Sequence, residues 1–230
     1  MFLFSLCAVT EQTTETVTYV SLGAIALIVI VLALTCIKAS KFTTRSIALA
    51  GVCLAASFTL SFLKFSPVLY GGSITLASFV PVLIYAYAYG PLKGILVGAI
   101  FGLLNFISGP YILTPMTFVL DYILAFASIG LMGFAKNFGK LSTTSKVVLG
   151  TILVYVARFI FHLVSGFIYF AEDSIWVDLP APNAFVYSLI YQAVYVPADC
   201  LIATIVMIVL ARTKTLDTLL TMTEKQEEKQ

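Results

Sequence analysis

The chain has few charged residues, and this shortage excludes several classes of protein. Charged residues make up 10% of the 230 residues, hydrophobic residues make up 60%, and the mean hydropathy is +1.05. This composition is too apolar for a soluble domain of this size. The formal net charge is only +2, without the basic patch that nucleic-acid binding requires. The sequence therefore predicts an integral membrane protein and excludes nucleic acid as a partner.

Residue patterns for catalysis and for metal binding are also missing. The chain has a single histidine and four cysteines, and the cysteines are far apart, with no CxxC or Cys/His spacing. They are therefore interpreted as small apolar packing residues. The sequence contains no GxSxG motif and no glycine-rich nucleotide loop with its lysine. We predict no metal, no cofactor and no covalent chemistry, so any use of ATP requires another subunit.

Apolar runs long enough to cross a bilayer as helices recur along the chain. Seven spans are predicted, at about 18–37, 46–63, 74–89, 93–108, 115–135, 147–170 and 184–211. The first has no charged residue and is interpreted as an anchor, whereas the other six form a core. The predicted organisation is an N-terminal segment (1–44) with the extra helix, a six-helix membrane domain (45–211) and a polar, solvated tail (212–230).

The distribution of positive charge predicts the orientation in the cell membrane. Placing the loop after the first span inside puts eleven of the thirteen Lys and Arg residues on the cytoplasmic side. The amino terminus is then outside and the carboxyl terminus is cytoplasmic. The segment 64–73 faces outward and contains Pro67, Gly71 and Gly72, which rule out a continuous helix. We interpret it as a lid.

Small residues recur at helical spacing on two of the predicted spans. Gly94, Gly98 and Gly102 are four residues apart, a pattern that lets another helix approach closely. Gly51 and Ala55 form a similar face on the 46–63 span. That second face could meet either a partner protein or another helix of the same bundle.

Ionisable side chains lie inside three apolar segments. Asp121 lies in the run GPYILTPMTFVLDYILAF, and Arg158 and His162 are four residues apart on one face of the next span. Gln192 and Asp199 belong to a polar stripe on the last span. Lipid offers such groups no hydrogen-bond partner, so they turn inward and usually mark a substrate or ion path. We expect the three segments to close around one small-molecule site.

The charges of these segments do not balance. Arg158 is the single cation, Asp121 and Asp199 are two carboxylates, and His162 is counted as neutral. Whichever carboxylate is not paired with Arg158 therefore holds a proton or awaits a cation. Nearby aromatic residues suit a flat cationic ring; they are Tyr111, Tyr122, Phe170 and Tyr187. The residues predict a pocket for a small cationic or amine-bearing aromatic molecule.

Structural roles compete with binding roles for several of these residues. Arg158 could equally form a buried structural ion pair or contact a ligand. For Asp199 a structural role is favoured. His162 could be a hydrogen-bonded core histidine. A membrane enzyme that uses Asp121 and Asp199 as a catalytic pair is a further alternative, and it requires the two carboxylates to lie close together.

Six segments, in order along the chain, resemble a known family over about residues 45–211. They are GGSITLASFVPVLI, YGPLKGILVGAIFGLLNF, GPYILTP, LDYILAF, ARFIFHLVSGFIYFA and VYSLIYQAVYVPAD. They are similar to the thiamine-specific substrate-capture (S) components of energy-coupling factor (ECF) vitamin transporters, and LDY followed by RFxxHxxSG and YSLxY is the most specific part. The resemblance implies a six-helix bundle that binds thiamine near the outer face. It also implies a transmembrane coupling subunit and two ATPase subunits as partners.

The resemblance assigns roles to residues by position. Asp121 matches the family's acidic ligand to thiamine, and Arg158 matches a basic pocket residue. Gly51 and Ala55 match the small-residue face that meets the coupling subunit. Ring-stacking or hydrogen-bonding positions are matched by Tyr111, Tyr122, His162, Phe170, Tyr187 and Gln192.

The chain departs from the family pattern in ways that bear on substrate choice. Asp121 is one methylene shorter than the Glu of some relatives, and Gln192 stands where Asn is usual. The extra amino-terminal helix is absent from many relatives. An S component for a related pyrimidine or pyridine compound is therefore the main alternative.

Overall fold

The computed structural model describes residues 42–65, 73–109, 115–169, 183–218 and 220–221. These residues form a helical bundle and a short two-stranded ribbon. Its main helices are α1 (Thr44–Phe62), α2 (Val80–Tyr89), α3 (Pro91–Ser108), α4 (Pro115–Asn137), α5 (Thr143–Tyr169) and α6 (Ala184–Arg212). The predicted anchor at 18–37 lies outside the described residues.

Five of the six helices, all except α2, are long and apolar enough to cross a membrane. α2 has ten residues, which gives a length of about 15 Å, half of a hydrocarbon core of about 30 Å. The all-α membrane fold and the six-helix core are confirmed. The predicted span at 74–89 is wrong in its first part, because the helix begins only at Val80.

The connection from α1 to α2 is held together at its two ends by a β ribbon. Strand β1 (Lys64–Phe65) pairs antiparallel with β2 (Ile74–Thr75), with Lys64 opposite Thr75. The backbone N–H of Leu76 also donates to the carbonyl of Leu63 (2.9 Å). This pairing fixes the position of Thr75, although residues 66–72 of the predicted lid lie outside the described part of the chain.

Helices α3 and α4 are in backbone contact. A Cβ atom at Gly98 would clash with the carbonyl oxygen of Phe126, and one at Gly102 would clash with the carbonyl oxygen of Tyr122. The close contact predicted from the glycine spacing is therefore confirmed, since only glycine leaves room for the facing backbone. The contact fixes α4 beside the site described below.

α4 changes its helical geometry along its length. It begins as a short α-helical turn, continues as a π-helix over Val119–Leu124 and ends as a 3₁₀ helix over Ser128–Asn137. In the π segment the N–H of Ala125 donates to the carbonyl of Leu120, five residues back. Short π-helical segments within helices are frequent at functional sites. The π segment here contains Asp121.

The chain remains packed on the bundle after α6. Residues 215–218 are helical, and Leu216 is only 1% exposed within the hydrophobic core. Thr143, at the start of α5, donates a hydrogen bond to Asp217 (3.0 Å). The expectation of a solvated tail over 212–230 is therefore wrong at its beginning, because Leu216 belongs to the core.

Candidate ligand-binding site

A cavity of about 620 Å³ lies between the β ribbon, the end of α1 and helices α3 to α6. This volume is typical of sites for small molecules. Six of the predicted site residues line it, namely Asp121, Tyr122, Arg158, His162, Tyr187 and Gln192. Tyr111 and Phe170 lie outside the described residues. Gly51 and Ala55 lie on the exposed face of α1, and all the binding roles stay predictions.

Asp121 is held by two residues of α5. Its Oδ1 lies 2.8 Å from Nδ1 of His162, and its Oδ2 accepts a hydrogen bond from Oγ of Ser165 at 2.7 Å. The Asp121 side chain is 24% exposed, whereas that of Asp199 is 5% exposed. Both carboxylates line the cavity, and Asp121 is the more accessible of the two.

Arg158 pairs with Asp199 rather than with Asp121. Its Nη1 donates to Oδ2 of Asp199 at 3.1 Å. Its guanidinium carbon lies 4.3 Å from the ring centre of Phe79 and 5.5 Å from that of Phe126, close enough for cation–π attraction. The pairing that the sequence left open is thus decided, and Asp121 is the surplus carboxylate.

The hydrogen-bond partners of His162 fit one tautomer of its ring. An arginine nitrogen can only donate, and Nε of Arg158 lies 3.3 Å from Nε2 of His162, so Nε2 is an acceptor. The ring proton is therefore on Nδ1, which donates to Asp121. With this tautomer the His162 ring is neutral, and Asp121, His162, Arg158 and Asp199 together carry one positive and two negative charges. Lys64 also lines the cavity, but within the described residues it forms no ion pair with either carboxylate.

Tyrosine rings form the apolar part of the cavity wall. On α6, the rings of Tyr187 and Tyr191 stack with centres 6.1 Å apart and planes at 21°. On α4, Tyr122 stacks on Phe118 with centres 6.2 Å apart. All three tyrosines line the cavity, and such rings suit a flat, positively charged group.

Two residues of the site, Ser165 and Thr75, were not predicted from the sequence. Ser165 follows Arg158 by seven positions and His162 by three, so helical spacing places it on the same face of α5 and could have revealed it. Thr75 gives no such signal. It reaches the site through the pairing of β2 with β1, and its N–H donates to Oδ1 of Asp199 (2.8 Å).

The fold and the site define a multi-pass α-helical membrane protein with a cavity that lies between its helices and contains ionisable side chains. Residues 47–218 match a family model described as Thiamine transporter protein (Thia_YuaJ), and the chain belongs to this family. The resemblance to thiamine-specific S components is thereby confirmed at the level of the family.

Two further comparisons agree with this assignment. The chain is 31% identical over 159 residues to the thiamine transporter ThiT of Bacillus subtilis (strain 168), an alignment that covers 62% of this chain and 77% of that protein. A solved structure of ThiT from Listeria monocytogenes is similar with a TM-score of 0.62 at 23% identity, covering 76% of this chain and 97% of that one. The structural similarity supports the fold.

Proposed function

We propose that the chain is the substrate-capture subunit of an ECF-type transporter and that its cavity binds thiamine at the outer face of the membrane. Uptake would then be driven by ATP through a transmembrane coupling subunit and two ATPase subunits. The observation that carries the proposal is that Asp121, which is not paired with Arg158, lies in a cavity lined by tyrosines. Thiamine has complementary chemistry, with a positively charged thiazolium ring and a flat aminopyrimidine ring. Membership of the thiamine transporter family supports the same substrate.

Five of the six predicted residues that line the cavity have roles in this proposal. Asp121 offsets the positive charge of the ligand or accepts a hydrogen bond from its aminopyrimidine. Tyr122 and Tyr187 pack against the rings, and Gln192 supplies a hydrogen bond. Arg158 is proposed to act mainly through its neighbours, because its Nε and Nη1 donate to His162 and Asp199.

The position of the site along α5 supports binding from outside. His162 is seven residues from the end of α5 at Tyr169, which is about 10 Å along a helix. Most lysines of the described residues lie at the opposite end of the bundle, whereas Lys64 lies in β1 and lines the cavity. Nζ of Lys136 donates to the carbonyl of Ala88 (2.7 Å), and Nζ of Lys146 donates to the carbonyl of Lys136 (2.9 Å). With this lysine-rich end in the cytoplasm, the carboxyl terminus is inside, and the anchor predicted from the sequence at 18–37 then puts the amino terminus outside.

The carboxylate geometry favours binding over catalysis. A catalytic carboxylate pair shares one proton between two adjacent acids. Here Asp199 accepts from Arg158 and Thr75, whereas Asp121 contacts His162 and Ser165. The two acids have different partners, so we propose a transport subunit that performs no covalent chemistry.

Thiamine titration of the purified protein tests the proposed substrate. Because tyrosines line the cavity, submicromolar thiamine is expected to quench the intrinsic protein fluorescence in detergent solution. A mixture of free tryptophan and tyrosine, titrated in parallel, corrects for light absorbed by thiamine. The absence of quenching by thiamine, together with a clear response to another pyrimidine or pyridine compound, would assign the cavity to that compound.

The small-residue face of α1 is the proposed contact with the coupling subunit. Among the described residues, a Cβ atom at Gly51 would meet nothing within 4 Å. Ile47 is 57% exposed and Val52 is 65% exposed on the same helix. This face therefore has the small, apolar surface that close helix contact requires.

Substitution of Gly51 by leucine is expected to stop thiamine uptake by cells that contain the whole transporter while leaving binding to the isolated subunit unchanged. The bulky side chain would hold the coupling subunit away, whereas Gly51→Ala keeps the face small and should retain uptake. Normal uptake by Gly51→Leu would mean that the coupling subunit docks elsewhere. A fall in the thermal stability of isolated Gly51→Leu would instead show that another helix of this chain covers the face.

A further inference from the structure

A continuous line of hydrogen bonds connects the cavity with the β ribbon. Asp121 contacts Nδ1 of His162 (2.8 Å), and Nε2 of His162 accepts from Nε of Arg158 (3.3 Å). Nη1 of Arg158 donates to Asp199 (3.1 Å), which also accepts from the N–H of Thr75 (2.8 Å). These hydrogen bonds thus join α4, α5, α6 and β2. The direction of donation along them is fixed by two groups that can only donate, the arginine and the backbone N–H.

We propose that Arg158 is a positioning residue that sets the tautomer of His162 and thereby the charge available at Asp121. The inference rests on the proposed function, in which Asp121 meets the cationic ligand. While Arg158 donates to Nε2, the only ring proton of His162 is on Nδ1, where it stabilises Asp121 without neutralising it. Without that donor, Nε2 can take up a proton. A doubly protonated ring would then neutralise Asp121, and an Nε2–H tautomer would leave Asp121 without its Nδ1–H donor.

The orientation of Arg158 is fixed from several sides. Its guanidinium carbon lies 4.3 Å, 5.5 Å and 5.9 Å from the ring centres of Phe79, Phe126 and Tyr155. With one nitrogen on Asp199 and another on His162, the planar group has little freedom to turn. Arg158 is therefore held as a donor to His162 even when the cavity contains no ligand.

Asp199 is suited to hold Arg158 because both of its oxygens accept. Oδ1 accepts from the N–H of Thr75, and Oδ2 accepts from Arg158. The hydroxyl of Thr75 adds a further hydrogen bond to Oδ1 (3.1 Å). An asparagine side chain has one acceptor oxygen, which can face either Arg158 or the N–H of Thr75. Its NH₂ group would then face the other donor. The Asp199→Asn substitution is therefore expected to release Arg158.

The test uses the fact that His162 is the only histidine of the chain. Nitrogen NMR of ¹⁵N-histidine-labelled protein without ligand therefore reports one imidazole ring. For the wild type we expect a protonated Nδ1 and an unprotonated Nε2. Arg158→Met and Asp199→Asn are expected to lose this pattern and to show a proton on Nε2. Arg212→Met, which removes a cation at the far end of α6, should leave the pattern unchanged.

Two results would overturn the inference, namely a wild-type ring with a proton on Nε2, or an unchanged ring in folded Arg158→Met and Asp199→Asn. If Arg158 and Asp199 only stabilised the fold, the two substitutions would lower the melting temperature but leave the ring proton of His162 on Nδ1. The spectrum is recorded without thiamine. A protein that shows the expected tautomer but binds no thiamine would contradict the proposed function alone.

Discussion

Replacement of Asp121 by asparagine is expected to weaken thiamine binding by about two orders of magnitude. Removing one partner of a buried charge pair costs about 3–5 kcal/mol, and each 1.4 kcal/mol corresponds to a factor of ten in affinity. The lower end applies here because the Asp121 side chain is 24% exposed. Asparagine has nearly the same shape, so the loss reports the charge rather than the volume of the cavity. Isothermal titration calorimetry in detergent measures the effect.

Asp217→Asn is the matched control for this experiment. It removes the same charge, but Asp217 bonds to Thr143 at the start of α5, and neither residue lines the cavity. Its affinity for thiamine should equal that of the wild type. If Asp121→Asn also bound like the wild type, the positive charge of the ligand would have to be met by a group other than Asp121.

Replacement of Gly102 by alanine is expected to lower both stability and affinity. The new methyl group would clash with the backbone carbonyl of Tyr122, which cannot move without shifting α4. Overpacking of this kind typically costs about 1–3 kcal/mol, and the helix propensity of alanine returns at most about 1 kcal/mol. Because Tyr122 is adjacent to Asp121, the displacement should reach the site. Thermal unfolding in detergent and thiamine titration measure the two effects.

Gly51→Ala is the control for this substitution, since a Cβ atom there meets nothing within 4 Å in the described part of the chain. It should have an unfolding midpoint equal to or above that of the wild type. Equal midpoints for Gly102→Ala and Gly51→Ala would contradict the backbone contact between α3 and α4.

The sequence was informative about features that depend on helical periodicity. The four-residue spacing of Arg158 and His162 correctly placed both on the cavity side of α5, and the glycine spacing of α3 correctly predicted its contact with α4. These patterns are visible because positions three or four residues apart share one face of a helix. The family resemblance added the likeness to thiamine transporters, which the family match confirmed.

The axial alignment of neighbouring helices could not be predicted from helical periodicity. Periodicity gives the face on which a residue lies, but not which residue of the next helix stands at the same level. The choice of Asp199 over Asp121 as the partner of Arg158 was therefore left open until the structure gave the contact. The same limit hid Thr75, whose position depends on strand register.

Hydrophobicity alone also misplaced two boundaries. Residues 74–79 belong to an apolar run, yet they form a strand and a turn in which Ala77 has a positive φ of 57°. A short apolar run does not distinguish a strand from the first turns of a helix. Conversely, the polar composition after residue 212 concealed Leu216, which is a core residue.

The proposed basis of selectivity is one carboxylate, Asp121, that favours a positively charged ligand. It is tested most directly by comparing, by calorimetry, the affinity of the wild type for thiamine with that for an analogue in which a neutral thiophene replaces the thiazolium ring. The two molecules have nearly the same shape and differ in charge. We predict that thiamine binds at least ten times more tightly and that Asp121→Asn reduces this ratio towards one. Equal affinity of the wild type for the two molecules would contradict the account.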